Sequence, residues 1–540
     1  MKIDSLVAMA DFATMLASLL LGCSLIAIFA KWQSRTKLKE PPWLDETIPF
    51  VSNAWQYMTD KELFITRLRE SFKSSPVLKC YLGPLKMHFI SAKHISIIFR
   101  SSFASEPWIE RIIEHAAGYS LSDVAKFSRD VSGCASTALT SDGRIWYAMH
   151  RMYDESLVSS SSVNMLSESF QVFFAQQLSM RNGVEEIRLL DFLKKNMATA
   201  ATRAMFGDRI LDVNPGFVDA FWEWDQYAET LAFGLPSWLN RKALTARNRV
   251  RAMCLKWYEI AIQEFDLTGV GSLEGVHWEP VFGSRMSTGL AQWGKSFGFS
   301  PDSMGASYSL AVFGLNSNTI PICAWMMMEL VRDPSLWQAV RKEVEQAMIS
   351  EGPTAGQLDC RKLTTLPLLQ SVYVETLRIH IHVLITRTCT EPVTISGYRF
   401  PKGCFFQAPT QAAHLDEAVW GIPGHPACEF WGYRHLKKTE VRSNLGQVTE
   451  KFEFSLRAKS AYLFPYGGGI SMCAGRSFAK REILLAVAMI VSKFEVEFLG
   501  WIKSDGSSSD RPAKDNWAYA NAVASPPDRE MMTKWRKRVD

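Results

Sequence analysis

From Phe12 to Ala30 the chain reads FATMLASLLLGCSLIAIFA without a charged position, and at about 1.5 Å of rise per helical residue this run reaches roughly 30 Å, the thickness of a bilayer's hydrocarbon. Lys31, Arg35, Lys37 and Lys39 come immediately after it. The N-terminal side sets only the α-amino group and Lys2 against Asp4 and Asp11, so the positive-inside rule puts the remainder of the chain in the cytosol. A cleaved signal peptide would have a shorter apolar region, with its charge before the run rather than after it. The pattern predicts a single-pass anchor and its basic flank over residues 1–40. Glu40-Pro41-Pro42-Trp43 then breaks any continuing helix, since proline has no amide donor and biases the preceding residue to extended geometry, and it reads as a hinge.

Helical periodicity dominates beyond Trp43, so residues 41–540 are expected to form one large domain, mainly α with a small β region. Asp333-Pro334 reads as an N-cap and first helical position for the amphipathic run SLWQAVRKEVEQAM. From Pro301 to Leu330 the chain is apolar nearly all round, which predicts a buried helix crossing the core. Pro321 interrupts it: the ring crowds the carbonyl of Ser317 and offers no amide to it, so the helix should open between Ser317 and Pro321, with Asn318 and Thr319 in the opened turn. Strand-like stretches lie at Val77 to Ile90, Val393 to Phe400 and Phe494 to Leu499.

Composition narrows the class. The 540 residues are 47% hydrophobic and 21% charged, which excludes a disordered chain. Sixty Lys+Arg against 55 Asp+Glu leave a formal +5 with no dense basic run, so a nucleic-acid partner is not expected. Ten scattered cysteines have no short repeated spacing, which argues against a disulfide framework and a zinc cluster alike.

One cysteine stands apart. Phe464-Pro-Tyr-Gly-Gly-Gly-Ile-Ser-Met-Cys473-Ala-Gly475-Arg476 is a Gly-rich loop leading into a long apolar helix. A thiol at a helix N-terminus lies among unpaired amide donors and the positive end of the helix dipole, both favouring the thiolate, a soft metal ligand. Glycines at 467, 468, 469 and 475 let the backbone turn tightly and approach a flat cofactor. The loop resembles the haem-binding signature of the cytochrome P450 family, matched here by Tyr466, Gly469, Cys473 and Gly475. Tyr466 replaces the usual Phe, and Ser471 stands where many members carry a basic residue contacting a haem propionate.

Other motifs occur in the family's order. Glu375-Thr-Leu-Arg378 places a carboxylate and a guanidinium on one helix face, and Phe430-Trp-Gly-Tyr-Arg434 matches the segment whose Arg completes a Glu-Arg-Arg cluster fixing the cysteine loop. Arg387 corresponds to a propionate-binding Arg. Trp146-Tyr-Ala-Met-His150-Arg151 resembles the family's Trp-x-x-x-Arg, with either His150 or Arg151 taking the propionate contact. In the family an acid-Thr pair on the core helix helps deliver protons to oxygen; Thr319 is retained and Asn318 replaces the acid. Asn-Thr with Pro close behind, the Tyr-Gly-Gly-Gly loop and Phe233-Gly-Leu-Pro236-Ser-Trp238 are similar to the subgroup that includes the cholesterol 7-alpha-hydroxylases and prostacyclin synthase.

The resemblance implies the cytochrome P450 fold behind one transmembrane helix in the endoplasmic reticulum membrane, with haem b ligated axially by Cys473. It further implies a monooxygenase that inserts one atom of O2 into a lipophilic substrate such as a terpenoid or sterol. Electrons would come from NADPH through NADPH-cytochrome P450 reductase, with cytochrome b5 as a further partner, since the chain has no dinucleotide fingerprint of its own. Arg476, Lys480 and Arg481 are candidates for the reductase-facing patch. The alternatives are a haem-thiolate isomerase or dehydratase needing no reductase, and a non-catalytic haem-binding membrane protein.

Overall fold

The computed structural model describes residues 40–538 apart from 84, 135–142, 180–182, 235–237, 239, 268–277, 443–447 and 520–523. The expected anchor over Phe12 to Ala30 and its basic flank lie outside the described residues. The remainder forms two compact units, one made of the residues up to Ala104 with Ile385–Pro409, the other of Ser105–Leu384 with the residues from Thr410 onward.

The smaller unit is built on a five-stranded sheet. Val77–Leu82 and Leu85–Ile90 pair antiparallel from Val77 opposite Ile90 to Leu82 opposite Leu85, turning through Gly83 at φ 61°. Leu85–Ile90 runs parallel to Phe405–Pro409, and Phe103–Ala104 antiparallel to the strand Leu384–Cys389. Aromatic side chains fill one face, with Phe406 against Phe103 at 5.4 Å and Phe400 at 4.9 Å between ring centroids. Residues 42–44, at the end of the expected hinge, are paired with the sheet. Leu44 N–H donates to Lys79 O (2.8 Å), Lys79 N–H donates to Pro42 O (3.0 Å), and Trp43 stacks on Tyr81 with the Lys79 ammonium over its face. Pro41 and Pro42 favour extended geometry, and the extended segment finds a sheet edge to pair with.

The larger unit is mostly helix. Its site-bearing elements are α1 (Ile145–Leu157), α2 (Phe217–Asp225), α3 (Pro301–Asn316), α4 (Thr319–Arg332), α5 (Pro367–His380) and α6 (Arg476–Lys493). A separate sheet of four strands carries Phe494–Ile502 at its centre, paired with Glu530–Lys537. Asp333 caps the helix Pro334–Glu345 as expected, accepting from the amides of Ser335 (3.0 Å) and Leu336 (2.9 Å).

The core helix behaves as its proline requires. Ser300 caps α3 by accepting from Ser303 N–H, and Pro301 opens it. The run then breaks at Ser317 and Asn318, and α4 restarts at Thr319, because Pro321 supplies no amide to Ser317. Pro301–Arg332 is long and apolar enough to cross a membrane, but 78% of its apolar window is buried in the protein, which makes it a core helix. Gly305 lets the helix Arg241–Glu264 approach closely: a Cβ there would meet Leu255 Cβ and the Arg251 carbonyl at 2.9 Å. α6 packs against α4 and is buried from Glu482 to Val491, holding the cysteine loop at its N-terminus to the centre of the unit.

Candidate functional site

The loop Phe464 to Cys473 closes on itself before α6 begins. Cys473 N–H donates to Tyr466 O (3.1 Å), Gly467 N–H to Phe464 O (3.2 Å) and Met472 N–H to Gly469 O (3.2 Å). Only two of its glycines serve the turning expected of all four: Gly467 and Gly469 both have φ 72°, where any side chain would cost about 1–2 kcal/mol. Gly468 is extended at φ −177° and Gly475 helical at φ −72°. At Gly475 a Cβ would make an ordinary contact of 3.8 Å with the Cys473 sulfur, so neither backbone conformation nor space requires glycine there. Gly469, Ile470, Met472 and Cys473 are exposed, so apolar side chains and a thiol share one uncovered surface.

Burial pushes the Cys473 thiol above its ordinary range, although the residue has an accessible face. The amides of Gly475 and Arg476 and the Arg476 charge pull it down without prevailing. The helix N-terminus therefore acts in the expected direction but is outweighed by desolvation. A metal that takes the sulfur must release its proton.

Glu375, Arg378 and Arg434 are brought together with their side chains fully buried. On α5, Arg378 grips Glu375 through two hydrogen bonds of 2.8 Å, and Arg434 Nε donates to Glu375 Oε1 at 2.6 Å. His435 Nε2 lies 3.1 Å from Oε2, and Trp431 N–H donates at 3.1 Å. Burial pushes the Glu375 carboxyl up, but hydrogen bonds and charge from Arg378 and His435 outweigh it and hold it at about 2. The remaining guanidinium donors fasten backbone: Arg378 bonds the carbonyls of His414 (2.7 Å) and Ala427 (2.6 Å), and Arg434 those of Trp420 (2.7 Å) and His425 (3.0 Å).

His414 links this network to the cysteine loop, and sequence reasoning missed it. Its Nε2 accepts from Phe464 N–H at 2.9 Å while its Nδ1 faces the Ile381 carbonyl at 3.2 Å, an arrangement that suits a neutral ring. Burial pushes the imidazole down to about 3, which keeps it neutral. No local pattern marks this histidine. Tyr466 has a counterpart that also went unread: its phenol bonds that of Tyr373 on α5, so the hydroxyl that distinguishes it from Phe is used.

On α1, His150 rather than Arg151 reaches the loop. His150 Nε2 lies 2.9 Å from Ile470 O and its Nδ1 3.1 Å from Asp154, whereas Arg151 is 65% exposed and paired with Glu155 at 2.6 Å. Trp146 is buried with its indole N–H given to Phe127 O (3.2 Å). Ser471 bonds Ser105 Oγ at 2.6 Å. Arg387 belongs to the smaller unit, where it lies over the Phe99 ring on the strand Leu384–Cys389.

In the opened turn, Thr319 Oγ1 donates to Leu315 O at 2.6 Å, and Asn318 Oδ1 accepts from Ala524 N–H at 2.8 Å. Asn318 thus ties the turn to the C-terminal segment. One turn earlier Gly314 is exposed on a mostly buried helix, and a Cβ there would meet nothing within 4 Å. The three residues of the expected basic patch are half-buried and also bond within the protein. Lys480 donates to Gln370 Oε1 (2.8 Å) and Thr364 O (3.3 Å), Arg481 to Asn164, and Arg476 to Cys473 O (2.8 Å).

The family model for cytochrome P450 matches residues 41–503. The chain is 38% identical over 539 residues to cytochrome P450 monooxygenase calL of Penicillium decumbens, covering 97% of this chain and 98% of that one. It is 23% identical over 512 residues to the cholesterol 7-alpha-monooxygenase of Cricetulus griseus, covering 90% and 93%. Among solved structures, retinoic acid bound cyanobacterial CYP120A1 superposes with a TM-score of 0.64 at 17% identity, covering 93% of this chain and all of that one.

Proposed function

Because the chain belongs to the cytochrome P450 family, we propose that it is a membrane-anchored monooxygenase which hydroxylates a lipophilic substrate, a terpenoid, sterol or related secondary metabolite, with electrons from NADPH-cytochrome P450 reductase. The uncharged run before the basic flank supports an endoplasmic reticulum anchor over 1–40 and a cytosolic catalytic domain over 41–540. A relative acting on cholesterol supports the substrate class.

The family implies haem-thiolate iron, and the residues present fit it. The accessible thiol on an exposed apolar loop is the observation that carries the reading. Cys473 would hold the iron, with Tyr466 and Gly469 shaping the loop beneath it. His150, braced between Asp154 and Ile470 O, would support the loop from α1. When bound, haem with a thiolate ligand activates dioxygen so that one oxygen atom enters a C–H bond and the other leaves as water.

The residues of the opened turn would manage protons. Thr319 gives its own proton to Leu315 O, so its oxygen is left as an acceptor that can orient a water. Asn318 cannot hold a titrating proton, and its oxygen is engaged by Ala524. Thr319→Ala is expected to lower product formed per NADPH by roughly tenfold or more while hydrogen peroxide rises; an unchanged ratio removes Thr319 from the mechanism. The function itself is tested with reductase, NADPH, isotopically labelled dioxygen and candidate sterols and terpenoids. Labelled product supports monooxygenation, and conversion without reductant would instead make the protein an isomerase or dehydratase.

A further inference from the structure

α2 ends on an acid in its own buried stripe. Phe217, Ala220, Phe221 and Trp224 face inward, and Asp225 extends the same side at 7% exposure. Trp224 packs on Phe313 at 5.5 Å, which sets the end of α2 against the last turn of α3. Asp225 forms no ion pair among the described residues. It accepts a hydrogen bond from the hydroxyl of Ser317, which is 1% exposed and lies in the interruption of the core helix beside Asn318. An unpaired buried carboxylate is costly, and a structural contact to serine would be made as well by a neutral amide.

We propose that Asp225 is the proton-holding acid of the opened turn, supplied from α2 and acting through Ser317 in place of the acid that the core helix lacks at Asn318. The proposal rests on the monooxygenase reading. With Asp225 protonated, its proton passes to Ser317 Oγ as the hydroxyl gives its own proton to a water of the turn, a hydronium ion from solvent reprotonates Asp225, and no electrons change hands. Burial pushes the carboxyl up to about 6, with the Ser317 hydrogen bond and the Lys194 charge opposing. A group with that value is near its working pH. Lys194 itself sits over the Trp222 ring at 5.0 Å, and Tyr519 from the C-terminal segment, with its phenol pushed up by burial and by Asp225, keeps a neutral group against the acid.

The test uses full-length holoprotein as wild type, Asp225→Asn and Ser317→Ala between about pH 5 and pH 8. Infrared difference spectra should show a protonated-carboxyl band appearing below about pH 6 in the wild type, lost in Asp225→Asn and shifted in frequency in Ser317→Ala. In reductase-driven turnover the ratio of peroxide to product should inflect near the same pH in the wild type, and be roughly tenfold higher without inflection in both variants. A missing band, a band indifferent to Ser317→Ala, or a wild-type ratio and inflection in Asp225→Asn overturns the proposal. If the wild type takes up no oxygen with reductase, the monooxygenase reading fails instead, and the infrared titration judges Asp225 alone.

Discussion

Cys473→Ser is expected to abolish the thiolate-type Soret band of the reduced, carbon-monoxide-treated protein and to leave turnover at background. Removing a residue that merely supports a metal ligand costs about 10- to 100-fold in affinity or activity, and removing the ligand itself must cost at least that much. A hydroxyl is a harder donor than a thiol and does not ionise near neutrality, so serine keeps the shape of the loop and loses its chemistry. Loading should also weaken as pH falls, because burial already holds the thiol above its ordinary range and coordination must expel its proton. Cys428 provides the control. It is likewise exposed but lies outside the loop, and Cys428→Ser should give the wild-type spectrum. A wild-type Soret band in Cys473→Ser would remove the basis of the functional reading.

The second large effect is on stability. Glu375→Gln should destabilise the protein by about 3–5 kcal/mol, the usual cost of breaking a buried ionic cluster from one side, since two guanidinium groups would keep their charge without a carboxylate. Denaturant unfolding with matched haem content measures it. The pH dependence has a definite sign. A carboxyl lowered from 4.5 to about 2 contributes stability that is full above its unfolded value, amounts to roughly 3 kcal/mol, and is lost as pH falls through about 2. The variant should lack that acid-dependent loss. A Glu375→Gln protein as stable as the wild type, with the same acid profile, would contradict the network's role.

These two predictions differ in how far the sequence disclosed their basis. Cys473 and the pair Glu375 and Arg378 sit in short patterns whose spacing is local, and the break at Ser317 and Asn318 results from Pro321 alone. Partners that meet only in space stayed hidden. His414 reaches Phe464 across 50 positions, Ser317 reaches Asp225 across 92, and Tyr373 reaches Tyr466 across 93. None of these has a periodic or motif signature, because side-chain hydrogen bonds between distant elements depend on packing that no window along the chain contains. The internal bonds of the basic run at the start of α6 were hidden for the same reason: Lys480 meets Gln370 and Arg481 meets Asn164 only in space. The strands at Leu436–Arg442 and Glu530–Lys537 were unmarked because they are rich in lysine and arginine, and pairing rather than intrinsic preference makes them extended.

The paired phenols of Tyr466 and Tyr373 constrain how this lineage can drift. Phenylalanine at 466 alone would strand a hydroxyl in the interior at about 1–3 kcal/mol, whereas the double replacement can be nearly neutral. The two positions are therefore epistatic: a descendant that regains the commoner aromatic at one must change the other with it, and homologues should carry both phenols or neither.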